Sequence, residues 1–224
     1  MRKTPIEVGE YYHVFNRGNN KQSIFLDKSD YVRFLFLVIY FQSDTVFYNV
    51  GYYVKQFTKH SVSSISRRIL ERILKHRVVS LINFALMPNH FHFTLYELAE
   101  GGIARYMQKI QNAYTKYFNA KYHRVGHLFQ GPYKAVRVED NKQLLHLSAY
   151  IHRNPREIAG WKNKEHKFPW SSYQDYTDKN RWGDLLQQNI ITDQIPHGKE
   201  YKHFIDASGT KLSQKELDSE LMID

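Results

Sequence analysis

Two histidines separated by a single residue, His90 and His92, lie in the run HFHFTLYE, whose aromatic and β-branched residues favour an extended chain. Side chains at i and i+2 of a strand face the same way, so the two imidazoles would stand side by side while Phe91 turns back into a core. Neutral imidazole suits zinc, manganese, iron, copper and other transition ions, so the pair reads as a metal platform without naming the metal. An ordinary solvent-facing strand can carry the same spacing. Further along, Tyr150 and Asn154 are four residues apart in a helical run, which stacks them on one face a turn apart. A phenol attacks well only when a base or cation favours its phenolate, and a metal opposite it would polarise a phosphoryl oxygen. Asn154 offers a neutral oxygen that would complete a His-His-amide set. Tyr114 and Tyr117 are rival phenols on a helical pattern, though their spacing suits core packing better.

These groups would work within a basic chain. Lys and Arg number 32 against 22 Asp and Glu, for a formal charge of +10 over 224 residues, which favours a polyanionic partner. Five acids against two bases from Asp206 onward leave the positive excess on the preceding body. Cations and aromatics alternate, from Tyr12 and Arg17 through Lys109, Lys116, Arg124, Tyr133, Lys134 and Arg137. Bases of this kind pair with phosphates and aromatic faces accept unpaired nucleobases, a mixture that favours single strands over duplex. With 17 Tyr and 14 Phe, most aromatics must still be core. The absence of cysteine excludes disulfides, thiolate zinc sites and Cys nucleophiles. No signal-peptide core and no membrane-length apolar run is evident, so the expectation is a cytoplasmic protein with no membrane partner.

The elements that must position these residues follow from periodicity. Residues 10–16 read as a strand ending in a turn at Gly18-Asn19-Asn20, and DKSDYVRFLFLVIYF as a first helix with Asp27 or Ser29 as its cap. Residues 42–62 match neither template, whereas SISRRILERILKHR aligns Ile65, Ile69, Leu70, Ile73 and Leu74 on one side of a helix. Together, residues 42–75 look like an insertion. Residues 78–87 and 90–97 read as an antiparallel hairpin about a Pro-Asn corner. A long amphipathic helix follows over 101–122, then a strand pair within 126–140 broken at Gly131-Pro132. Asp140 or Asn141 can cap a last helix that Pro155 should end near Asn154. The remainder reads as an accessory wrap and a weakly anchored acidic terminus, giving a domain over 1–177 and an extension over 178–224.

HVFNRGNNKQSIF (13–25), ALMPNHFHFTLYE (85–97), GGIARYMQKIQNAYTKYFN (101–119), GHLFQGPYKAVRVE (126–139), YIHRNP (150–155) and WSSYQDY (170–176) occur in the order found in the HUH single-tyrosine transposases. The chain resembles that family, particularly its branch associated with repetitive extragenic palindromes. The resemblance implies an α+β fold, an RRM- or ferredoxin-like palm with a central antiparallel sheet and helices on one face, the histidines on a central strand. It implies His90, His92 and Asn154 as metal ligands, Tyr150 as nucleophile, and Mg2+ or Mn2+ as cofactor. The implied reaction nicks and rejoins single-stranded DNA through a 5′-phosphotyrosine, on hairpin or palindromic substrates, with the protein at the nucleoid when bound. Arg17, Lys109, Lys116, Arg124, Tyr133, Lys134 and Arg137 are the expected DNA contacts, and a homodimer is left open. Other family branches carry glutamine where Asn154 stands, and Pro132 stands where relatives more often have arginine. A non-cutting, domesticated DNA- or RNA-binding protein is the alternative; a metal hydrolase using water would call for more carboxylates near the histidines.

Overall fold

The hairpin expected at the Pro-Asn corner forms the centre of the molecule. In the computed structural model, which describes residues 5–60 and 65–211, strand β2 (Val79–Met87) turns at Pro88-Asn89 into β3 (His90–Glu97). β1 (Tyr11–Arg17) pairs antiparallel with β3, setting Arg17 opposite His90 and Phe15 opposite His92. A short β4 (Lys134–Arg137) closes the other side of β1, so the four-stranded sheet runs β2-β3-β1-β4 and both histidines sit on an inner strand.

Alternation divides this sheet into two unlike faces. Phe91, Phe93 and Leu95 of β3, with Val14 of β1, are buried beneath α1 (Lys28–Tyr40) and α4 (Gly102–Lys121). Phe34 of α1 lies 5.2 Å from Phe91 and 4.8 Å from Tyr114 of α4, ring centre to ring centre. Burying each such side chain contributes about 1.5–3 kcal/mol, so this aromatic layer is a principal source of stability. Asp27 caps α1, accepting from the Ser29 and Asp30 amides while the Asp30 carboxylate accepts from the Asp27 amide. The first turn of α4 is pressed against the sheet: a Cβ at Gly102 would meet the Val78 carbonyl oxygen at 2.2 Å. Its free amides at Gly102 and Ile103 donate to the buried Glu97 carboxylate. The opposite face carries His90, His92, Thr94, His13 and Phe15, and α5 (Asn141–Arg153) crosses it. The palm's two long helices therefore share one face, and the helix bearing Tyr150 packs on the other.

Residues 42–75 contain α2 (Val50–His60) and α3 (Arg67–Lys75), separated in part by residues outside those described. α2 packs on α1, with Phe57 5.8 Å from Phe36. Ser66 caps α3, and of its apolar side Ile73 is fully enclosed. Within 126–140 only β4 is a strand. The earlier half makes a single bridge from Phe129 to Gly18, because Gly131 adopts φ +137° and Pro132 has no amide to extend a ladder. α5 ends at Arg153, as expected from Pro155, but not because the residue before proline leaves the helical region. Asn154 stays helical (φ −47°, ψ −42°), and the chain continues as a tight turn over Asn154–Glu157.

The segment after α5 packs closely. Trp170 to Ser172 line the outer edge of β2: the Leu86 amide donates to the Trp170 carbonyl and the Ser172 amide to the Phe84 carbonyl. Short helices α6 (Tyr173–Thr177) and α7 (Asn189–Thr192) follow, then α8 (Lys199–Lys211), which packs on α5. Much of the expected acidic tail lies outside the described residues.

Candidate active site

Asp140 caps α5 by accepting from the Gln143 amide, fixing where the helix begins and hence which side chains it turns toward the sheet. Ser148, Tyr150 and Asn154 then reach the face that carries the histidines. Tyr150 stands edge-on to His92, ring centres 5.3 Å apart, and 6.0 Å from His13. His90 and His92 are 5.0 Å apart, as alternate positions of a strand require. Asn154 Oδ1 is 3.4 Å from His90 Nε2. The structure thus brings together all four residues that the sequence singled out for chemistry, from two elements 64 residues apart for the His90–Asn154 contact.

Hydrogen bonds around the rim decide which atoms face inward. The Asn154 amide nitrogen donates to the Tyr150 carbonyl at 3.0 Å, which turns its oxygen toward His90. Asn89 donates from Nδ2 to the Lys21 carbonyl, leaving its oxygen, 2.7 Å from His90 Nδ1, to accept from that ring. With Nδ1 carrying the proton, His90 Nε2 bears a lone pair, and two acceptors face each other at 3.4 Å. That separation is close to the one between neighbouring ligands each about 2.1 Å from one ion. His92 is wholly enclosed, and its Nε2 makes no hydrogen bond. The donor set of His90, His92 and Asn154 therefore fits a divalent cation. Among the described residues no group of three or more His, Cys, Asp or Glu side chains gathers in the same manner.

Electrostatics favour neutral ligands. Burial lowers the His90 pKa to about 4, aided by the charge of Arg17 across the strand pair and opposed by the Asn154 oxygen, which would accept from a protonated ring. Burial, then the neighbouring His13 and His90, hold His92 well below the ordinary imidazole value. Both rings are uncharged at neutral pH, as metal ligation demands.

The expected DNA contacts divide. Arg17 lies opposite His90, and Lys134 sits over the Phe15 ring at 5.8 Å, both close to the histidine face. Lys109 instead lies on α4 beneath the sheet, donating to Asp44 at 2.8 Å. Arg137 is tied to Glu7 and Glu10. Tyr133 is buried, so its ring offers no open stacking face. Lys116 is exposed on α4, and Arg124 rests on Phe118. Tyr114 and Tyr117 belong to the opposite layer, where Tyr114 donates to the Ile24 carbonyl and Tyr117 to Asp30. Neither can reach the histidines.

One residue of the site escaped sequence reasoning. His13 of β1 is fully buried, its Nε2 2.9 Å from His92 Nδ1 and its ring stacked on that of His92. It opens the first motif that carries the family resemblance, and alternation in β1 puts it on the His92 face; those were the available signals.

The family model described as "Transposase IS200 like" matches residues 41–154, a span that holds both histidines, Tyr150 and Asn154. No curated protein matches the chain. A solved structure, described as that of a REP-associated tyrosine transposase bound to a REP hairpin, aligns over 89% of this chain and 96% of its own. Its identity is 14% and its TM-score 0.48.

Proposed function

Since the chain belongs to the IS200-like transposase family, we propose that it nicks and rejoins single-stranded DNA through a covalent link to Tyr150. The observation that carries this reading is the meeting of the phenol with a neutral two-imidazole, one-amide donor set on a single sheet face. Tyr150 Oη forms a bond to the scissile phosphorus as the bond to the 3′-oxygen breaks; the phenol gives up its proton and the departing oxygen leaves as a free 3′-hydroxyl. The product is a 5′-phosphotyrosine. Its phosphodiester energy is conserved, so attack by another 3′-hydroxyl reverses the step and reseals a strand.

His90, His92 and Asn154 would hold the cation, Mg2+ or Mn2+. Bound there, it would supply Lewis-acid polarisation of a phosphoryl oxygen. Arg17 and Lys134 border the same face and would grip the strand's phosphates, while α5 holds the phenol at a fixed angle to the imidazoles. Lys116 and Arg124 are candidates for a more distant stretch of DNA. Hairpin-bearing single strands are the proposed substrates, at the nucleoid of the host cell. Among the described residues no helix is long and apolar enough to cross a membrane.

The test incubates the protein with Mn2+ and end-labelled hairpin-bearing oligonucleotides and resolves products on a denaturing gel. A protein–DNA adduct is expected with wild type and none with Tyr150→Phe. An adduct that persists in Tyr150→Phe removes the phenol from its assigned role, and retained binding without any adduct across substrates supports a non-cutting binder instead.

A further inference from the structure

We propose that His13 is a positioning residue for the candidate metal site: it holds His92 in the tautomer that leaves a bare lone pair on Nε2, directed toward Tyr150 and Asn154. The proposal rests on reading His90 and His92 as ligands, and deepens it by assigning a residue that sequence reasoning left without a role.

A 2.9 Å approach of two imidazole nitrogens, His13 Nε2 and His92 Nδ1, needs one proton between them. Two lone pairs would repel and two N–H groups would collide, so one of two arrangements holds. If His13 donated, the proton of neutral His92 would sit on Nε2, and no lone pair would remain there for a cation. Ligation through Nε2 demands that lone pair. If His92 donates from Nδ1, its Nε2 is an unprotonated acceptor, and an acceptor facing the site is a ligand position. With His92 read as a ligand, the second arrangement is the consistent one. It makes His13 the acceptor through Nε2, with its own proton on Nδ1.

The geometry leaves little freedom. The two rings lie 5.1 Å apart and within 19° of parallel, both from inner strands of the sheet, and both side chains have no exposed surface. Asn89 performs the matching service for His90, accepting from Nδ1 and freeing Nε2. The two ligand rings are therefore oriented by different partners, one on the corner of the hairpin and one on the neighbouring strand. Outer partners that fix a histidine tautomer typically change metal affinity by about 10- to 100-fold when removed.

The experiment uses the full chain and Mn2+ alone. In the metal-free wild type, long-range 1H–15N spectra of the histidine rings should show His92 protonated on Nδ1. A His92 signal protonated on Nε2 overturns the assignment without recourse to any variant. Mn2+ affinity by titration calorimetry should fall by about 10- to 100-fold in His13→Phe, which removes the acceptor. It should return to within about threefold of wild type in His13→Gln, whose amide oxygen can reach the place of Nε2, on the same affinity scale. Circular dichroism confirms that each variant is folded at the titration temperature. A folded His13→Phe that binds Mn2+ as wild type does reduces His13 to core packing and refutes the proposal. His92→Gln separates this outcome from failure of the parent reading: if wild type and His92→Gln bind Mn2+ alike, or not at all, the histidine pair is not the ligand set and the role of His13 falls with it.

Discussion

Lowering the pH should destabilise the protein through a histidine on the side of α5 turned away from Tyr150. His152 is wholly enclosed on the far side of α5 from the phenol, its Nδ1 2.6 Å from the Tyr201 hydroxyl and its Nε2 2.8 Å from Ser172 Oγ. Its ring stacks on Tyr173 at 5.2 Å, and burial lowers its pKa to about 3. In the unfolded chain the same imidazole takes a proton near pH 6.5. Below that value the unfolded state binds more protons than the folded state, so acid favours unfolding. The contribution is fully present above about pH 6.5 and is lost as pH falls toward about 3, at roughly 1.4 kcal/mol per pH unit. Between pH 7.5 and 5 this one residue should therefore cost about 2 kcal/mol, a sizeable part of an ordinary domain's 5–15 kcal/mol. The lowered pKa values of His90 and His92 act in the same direction in metal-free protein. Urea unfolding followed by fluorescence, in chelating buffer at pH 7.5, 6.5, 5.5 and 5, measures the effect. His152→Gln keeps an amide able to donate and accept but cannot titrate, so its stability should fall less steeply with acid by about one proton's worth. Parallel curves for the two proteins would show that His152 does not take up a proton on unfolding and would refute the reasoning.

Other outcomes follow from the same contacts. Tyr201→Phe removes a hydroxyl held between Ser148 Oγ and His152 Nδ1, both at 2.6 Å, and should cost about 1–3 kcal/mol, seen as a lower urea midpoint with unchanged slope. Arg17→Ala and Lys134→Ala should each weaken binding of hairpin-bearing single strands and flatten the salt dependence by about 0.7 in log–log slope. Lys109→Ala should leave that slope unchanged, because its ammonium is engaged by Asp44 on the other side of the sheet. Anisotropy titrations over a range of salt distinguish these cases, and equal losses for all three would remove the distinction between the faces.

The parts of the fold legible in the sequence were those where periodicity and turn chemistry agree. The hairpin around Pro88-Asn89 and the long amphipathic helix after Gly101 came from pattern alone, and the cap at Asp27 was one of two candidates because Ser29 has equal capping chemistry. The register between β1 and β3 was not legible, since pairing across 79 residues depends on tertiary packing, and with it went the contact of His13 with His92. Residues 126–133 misled for a different reason: their composition is strand-like, but Gly131 and Pro132 prevent a ladder. Lys109, Arg137 and Tyr133 were read as surface groups from residue type. Only the folded chain brings Asp44 to the first, Glu7 and Glu10 to the second, and buries the third.

The strap of residues 170–188 along β2 bears on how copies of this chain can meet. Carbonyls of Leu81, Ile82 and Phe84 and the amide of Leu86 are already taken by Gln187, Tyr176, Ser172 and Trp170. Those backbone groups are not idle and cannot recruit a strand from a neighbouring molecule. Self-association through those groups by sheet extension, whether as an ordered pair or as an aggregate, would first require peeling the strap away.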